Sequence, residues 1–446
     1  MTQSFPPDRQ AKRNIRLGSL GAALEYYDFV AYLYVSTLIS TAFFPSGTSE
    51  TVRLVETLAI YSIGFAIRPI AGILIARIAD RVGRKRLFVL TVVVMSVATL
   101  AIGVLPTYDQ VGWLAPVLLI VMRIAQGCAV GGELPAAAVF VTEHARRDGV
   151  ARAGALQQMM AYGGFLLGAA AAFLSGLVVT HLTPDMPSLA WRLPFLAGGL
   201  LGLVSAYLRR KLDETPTFTQ ETRRRPSAPV REVLRNHRKP ALFAALMVVA
   251  LTLTNGTYFT YWPTYLQASV HLPAKTALGA SLIAIAGAMI SMPFWGRVAD
   301  KYGWRRELLW AAASTAAASL LLLAVLPTLP AGSALAIWIQ LPAALAAGGI
   351  VSAVPGLVSA IFPTEVRQTG YAVSYNLVVA LLGGFLNLIL VWLVASFGLS
   401  SPMYVVLVAC ALTLAAALAV VRIPVYLGRG SGAAKNDAMA DHLQIP

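Results

Sequence analysis

Charge is what this sequence has least of. Only 12% of its 446 residues are Asp, Glu, Lys or Arg, against 57% that are hydrophobic, whereas an ordinary soluble domain carries about twice that charged fraction. With a mean hydropathy of +0.69, the chain does not read as a water-soluble fold. Cysteine is nearly absent as well. Cys128 and Cys410 both lie in apolar stretches without neighbouring ligands, which argues against a disulfide framework and against a cysteine metal site. His144, His181, His237, His271 and His442 fall in loops or tails, so no histidine proton relay is expected inside a membrane. No Gly-Lys pair occurs, which removes the phosphate-cradling loop of an ATP-driven pump, and H-E-x-x-H and G-x-S-x-G are also missing. No enzyme chemistry, metal or cofactor is therefore expected.

What the sequence does contain is a succession of apolar runs. Spans of the length a bilayer requires, about 20 residues, lie near 15–40, 54–78, 87–106, 114–142, 152–180, 190–208, 241–269, 276–299, 307–327, 332–361, 368–397 and 402–421. The fold class read from this is an all-α membrane protein of twelve transmembrane helices in two halves. The halves are 1–208 and 241–421, joined by a basic linker at 209–240 and followed by a tail at 422–446. The polar first sixteen residues run into the first span without a small-residue cleavage site, as in a retained helix rather than a signal peptide.

The formal charge of +15 suggests nucleic acid only until the basic residues are located. With the N-terminus inside, alternate loops hold 30 of the 35 Lys and Arg residues, while the opposite loops hold only Arg53, Arg192 and Lys275. Cytoplasmic loops hold such an excess, so both termini and the linker read as cytoplasmic, with no nucleic-acid partner. The halves also repeat. Asp80-Arg81-Val82-Gly83-Arg84-Lys85 recurs 220 residues later as Asp300-Lys301-Tyr302-Gly303-Trp304-Arg305. The segment with Glu143 is echoed by Phe362-Pro363-Thr364-Glu365-Val366-Arg367. Two six-helix halves in parallel register are the pattern of a rocking secondary transporter of a small solute, with its site between the halves.

Asp80, Arg81, Gly83, Arg84 and Lys85 resemble the signature loop of the major facilitator superfamily, with Ala76 in place of its leading glycine. The second copy has Gly296 but carries Trp304 where the family has arginine, and Arg123-Ile-Ala-Gln126-Gly127 resembles the family's fourth-helix R-x-x-Q-G. Leu24-Glu25-Tyr26-Tyr27-Asp28-Phe29, Phe43-Phe44-Pro45, Arg68-Pro69, Gly131-Gly132-Glu133, Trp191-Arg192-Leu193-Pro194-Phe195 and Leu212-Asp213-Glu214-Thr215-Pro216 are similar to the metabolite:proton symporters. Members of that family carry citrate, 2-oxoglutarate, shikimate, or proline and betaine. The resemblance implies a proton-coupled carrier in a bacterial inner membrane, with protons, a small solute and lipid as its partners and a monomer as its working form.

Ionisable groups at membrane depth cost at least about 2.5–3.5 kcal/mol each, which makes every one a candidate site. Five are found: Glu25, Asp28, Arg68, Arg123 and Glu133. Asp28 lies about 20 Å and Arg123 about 28 Å from the linker-side surface, close to level once tilt is allowed. Glu25 and Asp28 share a helix face at i and i+3. Either one is read as the proton carrier, with Arg123 as its partner and, once released, as the seat of a substrate carboxylate. A permanent ion pair that only locks helix packing is the alternative. Arg68 and Glu133 match in depth and read as a gate. Asp80, Arg81, Gly83, Arg84, Arg86, Asp300 and Arg305 read as a latch between helix ends, or else as solvated positive loops.

The cavity is expected to be lined by Tyr26, Tyr32, Gln157, Gln158, Tyr162, Asn255, Tyr258, Tyr261, Trp262, Tyr375 and Asn376, although tyrosines also populate membrane interfaces. Asn255, Gly256 and Pro263 are expected to interrupt helix 7. Gly164-x-x-x-Gly168 and Gly198-x-x-x-Gly202 read as close helix contacts. The two arginines favour import of a mono-, di- or tricarboxylate. A proline/betaine-like osmolyte symporter and a proton-coupled drug or metabolite exporter are the alternatives.

Overall fold

The computed structural model describes residues 23–24, 26–68, 71, 84–129, 133–145, 147–210, 229–325 and 335–426. Lipid offers backbone amides no partner, so each crossing segment satisfies its own as a helix. Twelve helices form two sets of six. The first set is α1 (residues 26–43), α2 (Glu50–Ala66), α3 (Arg84–Val104), α4 (Leu114–Ala129, resuming as Glu133–His144), α5 (Val150–His181) and α6 (Leu189–Arg210). The second is α7 (Arg238–Ala268), α8 (Ala274–Tyr302), α9 (Trp304–Val325), α10 (Leu341–Ala360), α11 (Arg367–Phe397) and α12 (Ser401–Arg422). Pro229–Asn236 forms a short helix within the linker, and α7 starts at Arg238, inside the stretch read from sequence as linker. We call the face where α6 ends and α7 begins the linker side.

Among the described residues, α5 to α12 are each long and apolar enough to cross a membrane. The helices that fall short, α1 to α4, include those bearing Asp28 and Arg123. Outward faces are greasy instead of polar: Leu242, Ile290, Phe294 and Leu418 are all more than half exposed. That inversion suits a protein whose solvent is hydrocarbon.

With lipid as solvent, apolar burial drives helix association weakly, and close packing through small residues takes its place. Gly127 in α4 rides on the backbone of Gly64 in α2, and Gly164 in α5 on the carbonyl of Ala23 ahead of α1. Gly198 and Gly202 in α6 make room for Tyr27 and Ser96. Both glycine pairs read from sequence therefore mark close approaches.

Helix α7 departs from expectation in an instructive way. Asn255, Gly256 and Pro263 do not break it. The chain winds from Arg238–Asn255 through a π turn at Gly256–Tyr261 into Trp262–Ala268. A proline cannot donate to the carbonyl four residues back. Here that carbonyl, Phe259 O, accepts the Tyr34 hydroxyl of α1 at 2.6 Å. Helix α11 has a matching π turn at Val379–Gly383, and the next carbonyl, Gly384 O, accepts Ser62 Oγ of α2 at 2.6 Å. Single π turns are often kept at functional positions. Both of these hand a backbone carbonyl across the seam between the halves.

The packing predicts a contrast between neighbouring residues. Gly164→Ala should lower the melting temperature of the purified protein, by a cost of about 1–3 kcal/mol for overpacking. Gly163→Ala, where an added Cβ meets nothing within 4 Å, should leave it unchanged in the same thermal-shift assay.

Candidate functional site

Three helices of the first half converge on one buried cluster. The i, i+3 spacing of Arg123 and Gln126 sets both on one face of α4, turned towards Asp28 of α1 and Thr99 of α3. All four are buried, Asp28 at 2% and Arg123 at 3% exposure. Arg123 Nη1 donates to Asp28 Oδ2 at 3.3 Å and to Gln126 Oε1 at 2.8 Å. Gln126 Nε2 donates to Asp28 Oδ1 at 2.7 Å, and the Thr99 hydroxyl donates to the same oxygen at 2.8 Å. Asp28 thus accepts three donors, which offsets the cost of burying its charge.

Arginine has five donors, and this one uses a single nitrogen. Arg123 Nε and Nη2 are buried and have no hydrogen-bond partner among the described residues. Together they form the side-on fork that matches the two oxygens of a carboxylate. The flat face of the guanidinium lies 3.7 Å above the Tyr32 ring and 5.2 Å from that of Tyr61, while Tyr32 is anchored by its hydroxyl to Thr57 O at 2.9 Å. The ion pair with Asp28 thus engages Nη1 and leaves the Nε–Nη2 edge unengaged among the described residues.

The remaining expected residues divide into groups. Tyr26, Gln158, Tyr162 and Asn255 meet at the seam between the halves. Gln158 Nε2 donates to Tyr26 Oη at 3.4 Å, and the Tyr162 hydroxyl bonds Asn255 Oδ1 of α7. Tyr26 stacks on Phe165 at 4.5 Å, and Tyr162 meets Phe259 edge-on at 5.4 Å. Gln157 is buried with neither amide atom bonded. Tyr258 and Trp262 turn the other way. Tyr258 bonds Ser319 of α9 at 2.6 Å and its carbonyl accepts Gln340 Nε2, while the Trp262 ring packs on Tyr258 and Tyr265, so these contacts of both residues lie within the second half. Tyr261 packs on Tyr265, and Tyr375, buried on α11 beside Asn376, faces Tyr371 at 6.0 Å.

Arg68 is buried at the end of α2 with its guanidinium over Phe65 at 4.0 Å and Phe29 at 4.5 Å. Glu25, Asp80, Arg81 and Gly83 lie outside the described residues, as do the side chains of Arg84, Arg86 and Glu133. The expected pairing of Arg68 with Glu133 therefore also falls outside them. Asp300 does act across the seam: its two carboxylate oxygens accept the amides of Ala151 and Arg152 at 2.9 and 3.1 Å, capping the start of α5. Arg305 is exposed at the start of α9.

Among the described residues, contacts join the two halves on both sides of the membrane-spanning region. On the linker side, Gly154 and Gly356 bring α5 and α10 into backbone contact, and Arg367 pairs with Glu143 at 3.1 Å. On the opposite side, Tyr34 and Ser62 hold the carbonyls of α7 and α11.

The description of the Major Facilitator Superfamily matches residues 19–386. The chain belongs to that superfamily. A glycine betaine/proline/ectoine/pipecolic acid transporter of Dickeya dadantii is 30% identical over 419 residues, spanning 90% of this chain and 81% of that one. The proline/betaine transporter of Escherichia coli is 29% identical over 417 residues, with the same two coverages of 90% and 81%. A putative proline/betaine transporter of Staphylococcus aureus is 31% identical over 402 residues, spanning 87% and 84%. Among solved structures, a proton:xylose symporter bound to 6-bromo-6-deoxy-D-glucose superimposes with a TM-score of 0.70 at 16% identity, covering 93% of this chain and 96% of that one. This superfamily member is thus a multi-pass membrane transporter and not an enzyme.

Three partners in these contacts give little signal in the sequence. Thr99 carries no charge; Gln126 is marked only by its i+3 spacing from Arg123; and Glu143 reads as part of the internal repeat, with nothing in the sequence pointing to Arg367.

The linker-side seal yields a measurable consequence. Asp300→Ala removes two hydrogen bonds to the start of α5, and a net loss of about 1.4 kcal/mol is a tenfold change in population. In a chain spin-labelled at exposed Arg152 and Glu365, the long-distance fraction should rise about tenfold by double electron–electron resonance. An unchanged distance distribution would remove Asp300 from the latch.

Proposed function

We propose that the protein is a proton-coupled symporter that imports a zwitterionic osmolyte of the proline or betaine kind. The two halves, 1–208 and 241–421, would rock about the seam between them. The linker at 209–240 and the tail at 422–446 would be cytoplasmic, as the basic loops indicate. The observation that carries this reading is the unpartnered side-on fork of Arg123 beside the buried carboxylate of Asp28. A zwitterion offers a carboxylate to the fork and brings its own positive end, so no second cation is required in the site. The aromatic surfaces of Tyr26, Tyr162, Phe165 and Phe259 at the seam supply faces that attract an alkylammonium group. A di- or tricarboxylate would need further donors, and Arg68 is already stacked over two phenyl rings. The named relatives support the same choice over the organic acid favoured by arginine content alone.

In this mechanism Asp28 carries the proton. Ionised, it holds Arg123 Nη1; protonated, it relaxes that hold and lets α1 and α4 shift while the fork keeps the substrate carboxylate. Thr99 and Gln126 keep the carboxyl in place in either state. Arginine itself stays charged throughout.

Uptake of radiolabelled proline, glycine betaine, citrate and 2-oxoglutarate into proteoliposomes under an inward proton gradient tests the reading. Accumulation of a zwitterion is expected; accumulation of only the carboxylates would return the organic-acid reading, and proton-driven loss would indicate an exporter. Asp28→Asn should abolish accumulation while sparing counterflow exchange, and loss of both would refute its coupling role. Arg123→Lys cannot present a fork and should reduce uptake at least about tenfold.

A further inference from the structure

Glu307 stands in the first turn of α9 and is only 1% exposed. Neither of its carboxylate oxygens has a hydrogen-bond partner among the described residues. Such a group contrasts with Asp28, which has three donors. An ionised carboxylate in these surroundings would cost several kcal/mol with nothing to offset it. Among the described residues, no cation pairs with it from a neighbouring helix. Helix α10 carries no ionisable side chain. On α8, Arg297 and Lys301 are exposed and Asp300 is engaged with α5; Tyr302 is exposed too. On α9 itself Arg305 and Arg306 are exposed, and on α12 so are Tyr404 and Arg422. Cys410, the other titratable group of α12, is buried.

The position of Glu307 is also informative. Trp304 packs on Gly356 of α10, and Ala311, one turn beyond Glu307, packs on Gly349. Glu307 therefore faces α10 between these two contacts. Gly356 touches Val150 and Ala151 of α5 on its other side, which places Glu307 one helix behind the linker-side seam. The tight contact of Ala311 with Gly349 separates it from the polar group deeper in the half, Thr315, Ser319 and Tyr258. Glu307, in the first turn of α9, lies nearer the linker-side end of the helix than Thr315 or Ser319. The internal repeat shows that the fold does not need an acid here, since the residue 220 positions earlier is Leu87.

We propose that Glu307 is a second proton-binding site, separate from Asp28, which holds its proton while the linker-side mouth is shut and releases it when α9 and α10 part and admit water. The sign follows directly. Because the shut form binds the proton and the open form can lose it, raising the pH on the linker side favours opening there. The effect is a gate set by the pH of that compartment, whatever solute is carried.

The test uses the full chain in liposomes, spin-labelled at Arg152 and Glu365, at about pH 5 and about pH 8. In the otherwise unaltered chain the long-distance fraction should rise at least about threefold with pH. Glu307→Gln and Glu307→Leu, the latter copying the first half, should both remove the rise, and Asp28→Asn should retain it. Infrared spectroscopy at the lower pH should show the C=O band of a carboxylic acid without hydrogen bonds, lost in Glu307→Gln. Persistence of the pH response in either Glu307 variant, its loss in Asp28→Asn, or absence of the carboxylic acid band would overturn the proposal.

Discussion

The structure depends on one buried ion pair and on the uneven way it is satisfied. Asp28 and Arg123 meet where neither water nor headgroups can share the charge, so their remaining hydrogen-bond needs must be met by protein or by cargo. The carboxylate is surrounded: Arg123, Gln126 and Thr99 all point at it. The guanidinium is not. Among the described residues only its Nη1 is engaged, and Nε and Nη2 are buried without a partner. A guanidinium edge left so is an unmet hydrogen-bonding demand.

Around that centre the closures are made largely of backbone groups. The opposite mouth is held by hydroxyls reaching carbonyls that the π turns of α7 and α11 expose, and the linker side by a carboxylate capping the amides of α5. Individual bonds of this kind contribute about 0.5–1.5 kcal/mol net, or about 1.5–3 kcal/mol where one partner is charged. Seals of a few such bonds can hold a mouth shut and still open on a modest change in interaction energy. Small residues at the seam, Gly154 on Gly356 and Gly296 on Ala155, let the halves separate without unthreading interlocked side chains.

Two acids are thus treated differently by the same fold. Asp28 is given donors and a counter-charge, and Glu307 is given neither. The first arrangement suits a carboxylate that can be ionised while buried and that loosens its hold on Arg123 when protonated; the second suits a group that is neutral when shut in and charged when wetted.

The chain by itself determined the number of crossings, the two-half repeat and the superfamily, because apolar length, loop charge and motif spacing are local properties that lipid enforces on every segment. It also singled out Asp28 and Arg123, since a charge in a greasy run is conspicuous without coordinates. Only the tertiary structure decided which donors of Arg123 were spent, that Tyr258 and Trp262 turn into their own half, and that Pro263 is accommodated by a π turn with Tyr34 taking the freed carbonyl. Those outcomes depend on which helix faces meet, and helix faces are chosen by contacts between residues hundreds of positions apart.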